Sequence, residues 1–225
     1  MPESSFAGPL LLSFRLALTT TVVLAVLGIP LARWLALSRS RLKPVVSTIV
    51  TLPIVLPPTV IGFYLLVAFS PLSPPGNFLR EWLGVDLVFS FTGLVVASVI
   101  YSLPFMVNPL VAGLEALPPS IREASLTLGR SEMATLFRVM LPAAKPSVIT
   151  ALVLTFAHTV GEFGVVLMIG GNIPGRTRVA SIAIYNEVER LDYAGAHAYS
   201  LILLSFAFIV LLAVSILNRR TIKTF

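Results

Sequence analysis

Cysteine is absent from the 225-residue chain, which excludes disulfide staples and thiolate metal sites. Charge is scarce as well: 12% of residues are Asp, Glu, Lys or Arg, where a soluble domain carries about 25%. No Gly-Lys dipeptide occurs, so the chain lacks a phosphate-cradling loop of the Gly-x-x-x-x-Gly-Lys-Ser/Thr kind. What abounds is apolar. Hydrophobic residues make up 56% of the chain and mean hydropathy is +0.95, the composition of an integral membrane protein rather than a disordered one. The length allows one domain or two small ones.

A crossing helix needs about 20 apolar residues, and the charged residues cut the chain into five uncharged or nearly uncharged stretches. These run from Leu16 to Ala32, Pro44 to Leu79, Leu87 to Leu114, Pro146 to Gly175 and Tyr193 to Asn218. The stretches lack the alternating period of lipid-facing strands, so an all-α polytopic membrane protein is expected, with spans at about 13–35, 45–70, 88–114, 146–170 and 195–217. A sixth span follows only if the long second stretch divides. The first stretch is expected to stay as a helix and not be removed as a signal peptide, because Glu3 precedes it and no small-residue cleavage pattern follows.

Arg33, Arg39, Arg41 and Lys43 follow the first span. Arg122, Arg130, Arg138 and Lys145 follow the third, and Arg219, Arg220 and Lys223 the fifth. Against these eleven stand Glu115, Glu123 and Glu132, a net +8 on one side. The positive-inside rule puts that side in the cytoplasm, the N-terminus outside and the C-terminus, with its short basic tail at 219–225, inside. The basic balance is therefore a topology signal and no argument for nucleic-acid binding. Pro53, Pro57 and Pro58 fall inside the second stretch and predict a kink or break there. Such a break either walls a pathway or is a packing kink.

Between the third and fourth spans the chain turns polar yet keeps a helical pattern. Ser120 and Glu123 form a capping-box signature behind Pro118 and Pro119. Ile121, Ala124, Ser125 and Leu128 share a face before Gly129, a helix-ending residue. Met133, Leu136, Phe137, Met140 and Leu141 then recur at helical spacing until Pro142 is expected to stop the run. Two short amphipathic helices meeting at a glycine fit a hairpin lying on anionic lipid. The same residues read Glu123-Ala124-Ser125, three residues, Gly129, nine residues, Val139, one residue, Leu141-Pro142. That spacing closely resembles the cytoplasmic coupling motif of permease subunits of binding-protein-dependent ABC importers, with Ser125 and Val139 as conservative departures. The resemblance implies a type I ABC importer transmembrane domain over 9–218, with a coupling segment at 118–142 that docks in a cleft of a separate ATPase.

Glu162, with His158 four residues before it, is the ionisable pair deep within a predicted span, where a charge facing lipid costs roughly 2–3 kcal/mol. Two ligands cannot close a zinc site, so an inward-facing, helix-organising or gate residue is the expectation for Glu162. Thr155 and Thr159 share its helix and either line a path or satisfy their own backbone carbonyls. The glycine-rich run from Gly161 to Thr177 is expected to loosen the outer end of the fourth span; its small residues also permit close helix packing, and the loop is expected to form a gate rim. With Leu56-Pro57-Pro58-Thr59-Val60-Ile61-Gly62-Phe63-Tyr64 and Ile182-Ala183-Ile184-Tyr185, that run resembles the molybdate group of oxyanion importer permeases, with sulfate and tungstate relatives close behind.

The resemblance implies a homodimer in a prokaryotic cytoplasmic membrane, two cytoplasmic ATPase subunits that hold ATP and Mg2+, and an extracytoplasmic molybdate-binding protein. No cofactor is expected on this chain. The expected coupling residues are Glu123, Ala124, Ser125, Gly129, Val139, Leu141 and Pro142; the expected gate residues are Pro57, Pro58, Thr155, Thr159 and Glu162. Asn172, Arg176 and Arg178 are expected at the outer mouth, where the arginines meet the anion or its binding protein, or are ordinary loop charges. The alternatives are a tungstate, sulfate or thiosulfate permease, a polytopic membrane enzyme using His158 and Glu162, and a non-transporting scaffold.

Overall fold

The computed structural model describes residues 6–222, apart from the side chains at 83 and 217–222, so the side chains of the expected basic tail lie outside the described residues. Every regular element among the described residues is a helix. Three helices are long and apolar enough to cross a membrane: α1 (Ala7–Leu37), α5 (Phe91–Glu115) and the apolar part of α12 (Tyr193–Ile222). Two bent pairs bring the number to five if each counts as one span.

The first bent pair replaces the expected second span. α2 (Lys43–Val55) and α3 (Pro58–Phe69) meet at 112°. Leu56 and Pro57 are both extended, with ψ 138° and 136°, because a residue before proline is pushed out of the helical region and Pro57 itself is followed by proline. Pro58 then opens α3 at the position where a missing N–H costs nothing. Pro53 stays inside α2. Beyond α3 the chain forms α4 (Pro74–Leu83), a short helix capped by the Ser73 hydroxyl, which accepts from the Gly76 amide at 3.1 Å.

The polar segment folds as α6 (Pro119–Thr127), α7 (Glu132–Thr135), a π-helical turn (Leu136–Met140) and α8 (Leu141–Ala143). The expected capping box at Ser120 does not form: Pro118 holds the N-cap position and Pro119 the first turn, so the prolines start the helix without a side-chain cap. Ser131 caps instead, accepting from the Ala134 amide at 3.2 Å. Nor does Pro142 stop the second helix. Its ring would crowd the carbonyl four residues back, and the wider π turn before it absorbs the conflict, so the helix runs to Ala143.

At Ala144 the chain bends by 86° into α9 (Lys145–Gly161). The expected fourth span is itself broken, because Glu162 (ψ 135°) and Phe163 leave the helical region before α10 (Gly164–Gly170) begins. α11 (Ala180–Glu189) leads to α12.

α5 is the central element, packed against α1, α2, α9 and α10. Three apolar layers lie along it: Leu16, Ile61, Leu94 and Val165 at one end, Leu24, Val50, Met106 and Ala151 in the middle, Leu114, Leu136 and Met140 at the end that carries the basic segments. α12 is peripheral: 11% of its most apolar window is buried, against 44% for α5. Leu204, Phe208 and Ile209 face outward from it, a surface suited to hydrocarbon rather than water.

Candidate functional site

Two places stand out: the elbow formed by α6 and α7, and a cavity between the two broken helices. At the elbow, α6 ends in a left-handed residue, Gly129, at φ +77°. The Gly129 amide donates to the Leu126 carbonyl at 2.9 Å and the Arg130 amide to the Ser125 carbonyl at 3.3 Å, the paired bonds that close a helix and reverse the chain. Ser125 is buried, and its hydroxyl shares a 2.9 Å hydrogen bond with Thr135, which ties α6 to the following helix. Glu123 and Ala124 face outward, Val139 is half-buried, Leu141 packs on the inner layers and Pro142 is exposed. The expected shared face of α6 is therefore split, with Ser125 turned inward and Ala124 and Leu128 turned outward. Leu128 is 80% exposed, Phe137 52% and Met133 51%. These large apolar side chains are left open on an otherwise polar segment, the mark of a surface that meets another protein or the membrane.

Behind this face a carboxylate joins three elements. Glu132 Oε2 accepts from Arg33 Nη2 at 2.8 Å, while Oε1 accepts from Arg122 Nη2. The Arg33 hydrogen bond, with Arg122 beside it, holds the Glu132 carboxyl below the usual carboxylate range despite a partial opposing effect of burial. Its hold on the elbow is accordingly present above that range and is lost only as pH falls through the lowered value. No local pattern in the sequence singles out this cluster, because Arg33 and Glu132 are 99 residues apart.

The second place is an open cavity of about 560 Å³ lined by Pro58, Thr59, Tyr101, His158, Glu162 and Gly164 among others. Both helix breaks reach it, one through Pro58 and Thr59 and the other through Gly161 to Gly164. Pro57 stands one residue back as the N-cap of α3. Glu162 is the C-cap of α9, so it lies at the break and not within a helix. Its Oε2 accepts from the Ser98 hydroxyl at 2.8 Å and its backbone carbonyl from the Ser181 hydroxyl at 2.5 Å, which fastens the break to α5 and α11. Oε1 has no partner among the described residues. His158 lies over Phe105, with ring centroids 3.8 Å apart, and its Nδ1 is 3.0 Å from the Ser102 hydroxyl.

Thr155 and Thr159 are not open to the cavity here. Both are buried and donate to the Ala151 and Thr155 carbonyls at 2.7 and 2.8 Å. Gly164 serves the close packing expected of the small residues in this run: a Cβ on it would sit 2.7 Å from Pro58 Cβ, so the residue permits close approach of α10 to α3.

At the far end Arg178 Nε donates to Asn172 Oδ1 at 2.5 Å, and Asn172 Nδ2 to Asn186 Oδ1 at 3.2 Å, so two of the three expected mouth residues brace the loop. Arg176 is exposed beside a pocket near Asp86. An interaction absent from the sequence reading is Arg15, whose guanidinium lies 4.6 Å above the Phe91 ring.

A sequence profile described as "Binding-protein-dependent transport system inner membrane component" matches residues 11–223. The chain belongs to this family. The permease is 52% identical over 203 residues to the molybdenum transport system permease protein ModB of Azotobacter vinelandii, covering 90% of this chain and 89% of that protein. It is 34% identical over 207 residues to the sulfate transport system permease protein CysT of a Synechocystis strain, covering 92% and 72%. Among solved structures, a bacterial alginate ABC transporter aligns with a TM-score of 0.77 at 20% identity, over 99% of this chain and 81% of that one. The MetNI methionine ABC transporter aligns with a TM-score of 0.71 at 18% identity, over 94% of each chain. The fold of the permease is thus that of an ABC importer's transmembrane subunit.

Proposed function

We propose that the permease carries molybdate across a prokaryotic cytoplasmic membrane, driven by ATP that a separate subunit hydrolyses. The carrying observation is the elbow: a short helix closed by Gly129, whose outward face leaves Leu128, Met133 and Phe137 uncovered. Such a face suits the cleft of an ATPase, with Glu123 and Ala124 at the contact and Ser125, Gly129, Val139, Leu141 and Pro142 holding its shape. The excess of Lys and Arg at that end favours placing it in the cytoplasm and the N-terminus outside.

The cavity between the two breaks serves as a wall of the path, since irregular backbone at membrane depth is tolerated where it lines such a space. One chain is thin for enclosing a path, and a two-fold pair of chains would place it on their axis. Movement of the elbows as two ATPase subunits close would switch that path between the two sides. An extracytoplasmic binding protein would deliver the anion near Asn172, Arg176 and Arg178. The similarity to the A. vinelandii ModB supports molybdate as the cargo over sulfate.

Reconstitution with the ATPase and binding protein tests this reading. Labelled molybdate uptake is expected to require ATP and to be competed by tungstate far better than by sulfate, the two heavier dianions being nearly alike in size and charge. Uptake without ATP, or stronger competition by sulfate, contradicts it.

A further inference from the structure

We propose that Glu132 is a positioning residue, the strap through which displacement of the elbow is passed to α1 and along α1 to the cavity. This inference rests on the reading of the elbow as a surface gripped by an ATPase. The strap is one carboxylate held by two guanidiniums, one from the elbow itself (Arg122) and one from α1 (Arg33). Shared by two arginines and partly buried, it resists sliding better than an exposed ion pair does, because both oxygens are committed in fixed directions.

α1 stays helical over 31 residues, through Pro30, which stands between Arg33 and the cavity end, so what is strapped at Arg33 is passed along one helix to the other end. There its buried Ser13 hydroxyl accepts from the Ala180 amide at 2.8 Å, joining α1 to the start of α11. Leu16 packs in the layer that holds Ile61 of α3 and Val165 of α10. α11 in turn supplies Ser181, the donor to the Glu162 carbonyl at the α9–α10 break. Elbow, strap, α1 and both walls of the cavity thus form one chain of direct contacts. By comparison, the Ser125–Thr135 bond keeps the elbow's shape without reaching any crossing helix.

The test uses the full complex in proteoliposomes, with cargo imported per ATP hydrolysed as the readout. Glu132→Gln is expected to retain the ATPase subunit and its hydrolysis while cargo per ATP falls about fivefold or more, the low end of ordinary coupling. The chain contains no cysteine, so Arg33→Cys with Glu132→Cys provides a unique thiol pair. That double variant is expected to be equally uncoupled until a short bismaleimide bridges the thiols, whereupon cargo per ATP recovers.

Unchanged cargo per ATP in Glu132→Gln overturns the strap, as does a bridged pair that stays uncoupled or arrests import. Loss of the ATPase from the Glu132→Gln complex also overturns it, since the cluster would then build the docking surface rather than transmit its motion. A wild-type complex that hydrolyses ATP without importing any oxyanion overturns the transport reading and the strap with it.

Discussion

Replacing Gly129 with valine is expected to abolish ATP-driven uptake while the chain still inserts and folds. A Cβ at this position meets nothing within 4 Å, so the substitution causes no collision. The cost is conformational. At φ +77° a side chain crowds its own backbone, and the left-handed region costs roughly 1–2 kcal/mol for an ordinary residue and more for a β-branched one. That is too little to unfold a membrane bundle but enough to break the turn at Gly129 and Arg130 and release α6 from the angle at which it presents Glu123 and Ala124. Gly129→Asn, which tolerates the left-handed region, should keep most of the uptake. Vesicle uptake normalised to inserted protein decides the matter: full uptake by the valine variant would contradict the account.

Gly164→Leu is expected to lower uptake about tenfold or more, by a different route. The new Cβ would lie 2.7 Å from Pro58 Cβ and 3.4 Å from the Thr59 amide nitrogen, at the contact between the two broken helices. Overpacking of this kind costs about 1–3 kcal/mol, and it falls on the wall of the cavity, far from the elbow. ATPase retention should therefore be unaffected while transport fails. Gly161→Ala provides the control. It borders the same cavity but has open space around it, so transport close to wild type is expected. Equal loss in both variants would show that the cavity tolerates no change at all, and no loss in Gly164→Leu would remove the contact from the transport path.

The elbow was legible because its determinants are local: Gly129 at the end of a short polar helix, then a second helical run, all within about two dozen residues. The proline break in the second stretch was legible for the same reason, since Pro57 and Pro58 forbid a continuous helix whatever surrounds them. The break at Glu162 was not. It contains no proline, and the flanking Gly161 and Gly164 allow loosening and close packing alike; which one applies at Gly164 depends on Pro58, more than a hundred residues away in the chain. The Ser120–Glu123 pattern is a local capping signature that Pro118 and Pro119 pre-empt, so it does not become a cap. The Arg33–Glu132–Arg122 cluster had no sequence signal beyond three unremarkable charges, for its partners meet only when α1 and the elbow pack together.

The most direct measurement is the side of the membrane on which the elbow lies and whether an ATPase covers it. Leu128→Cys would be the sole thiol in the chain, placed at a highly exposed position beside Gly129. A membrane-impermeant maleimide should label it in inverted vesicles stripped of the ATPase, label it much less once the ATPase is restored, and leave it unlabelled from the outside of intact cells. Labelling from the outside, or labelling that the ATPase leaves unchanged, would contradict the account.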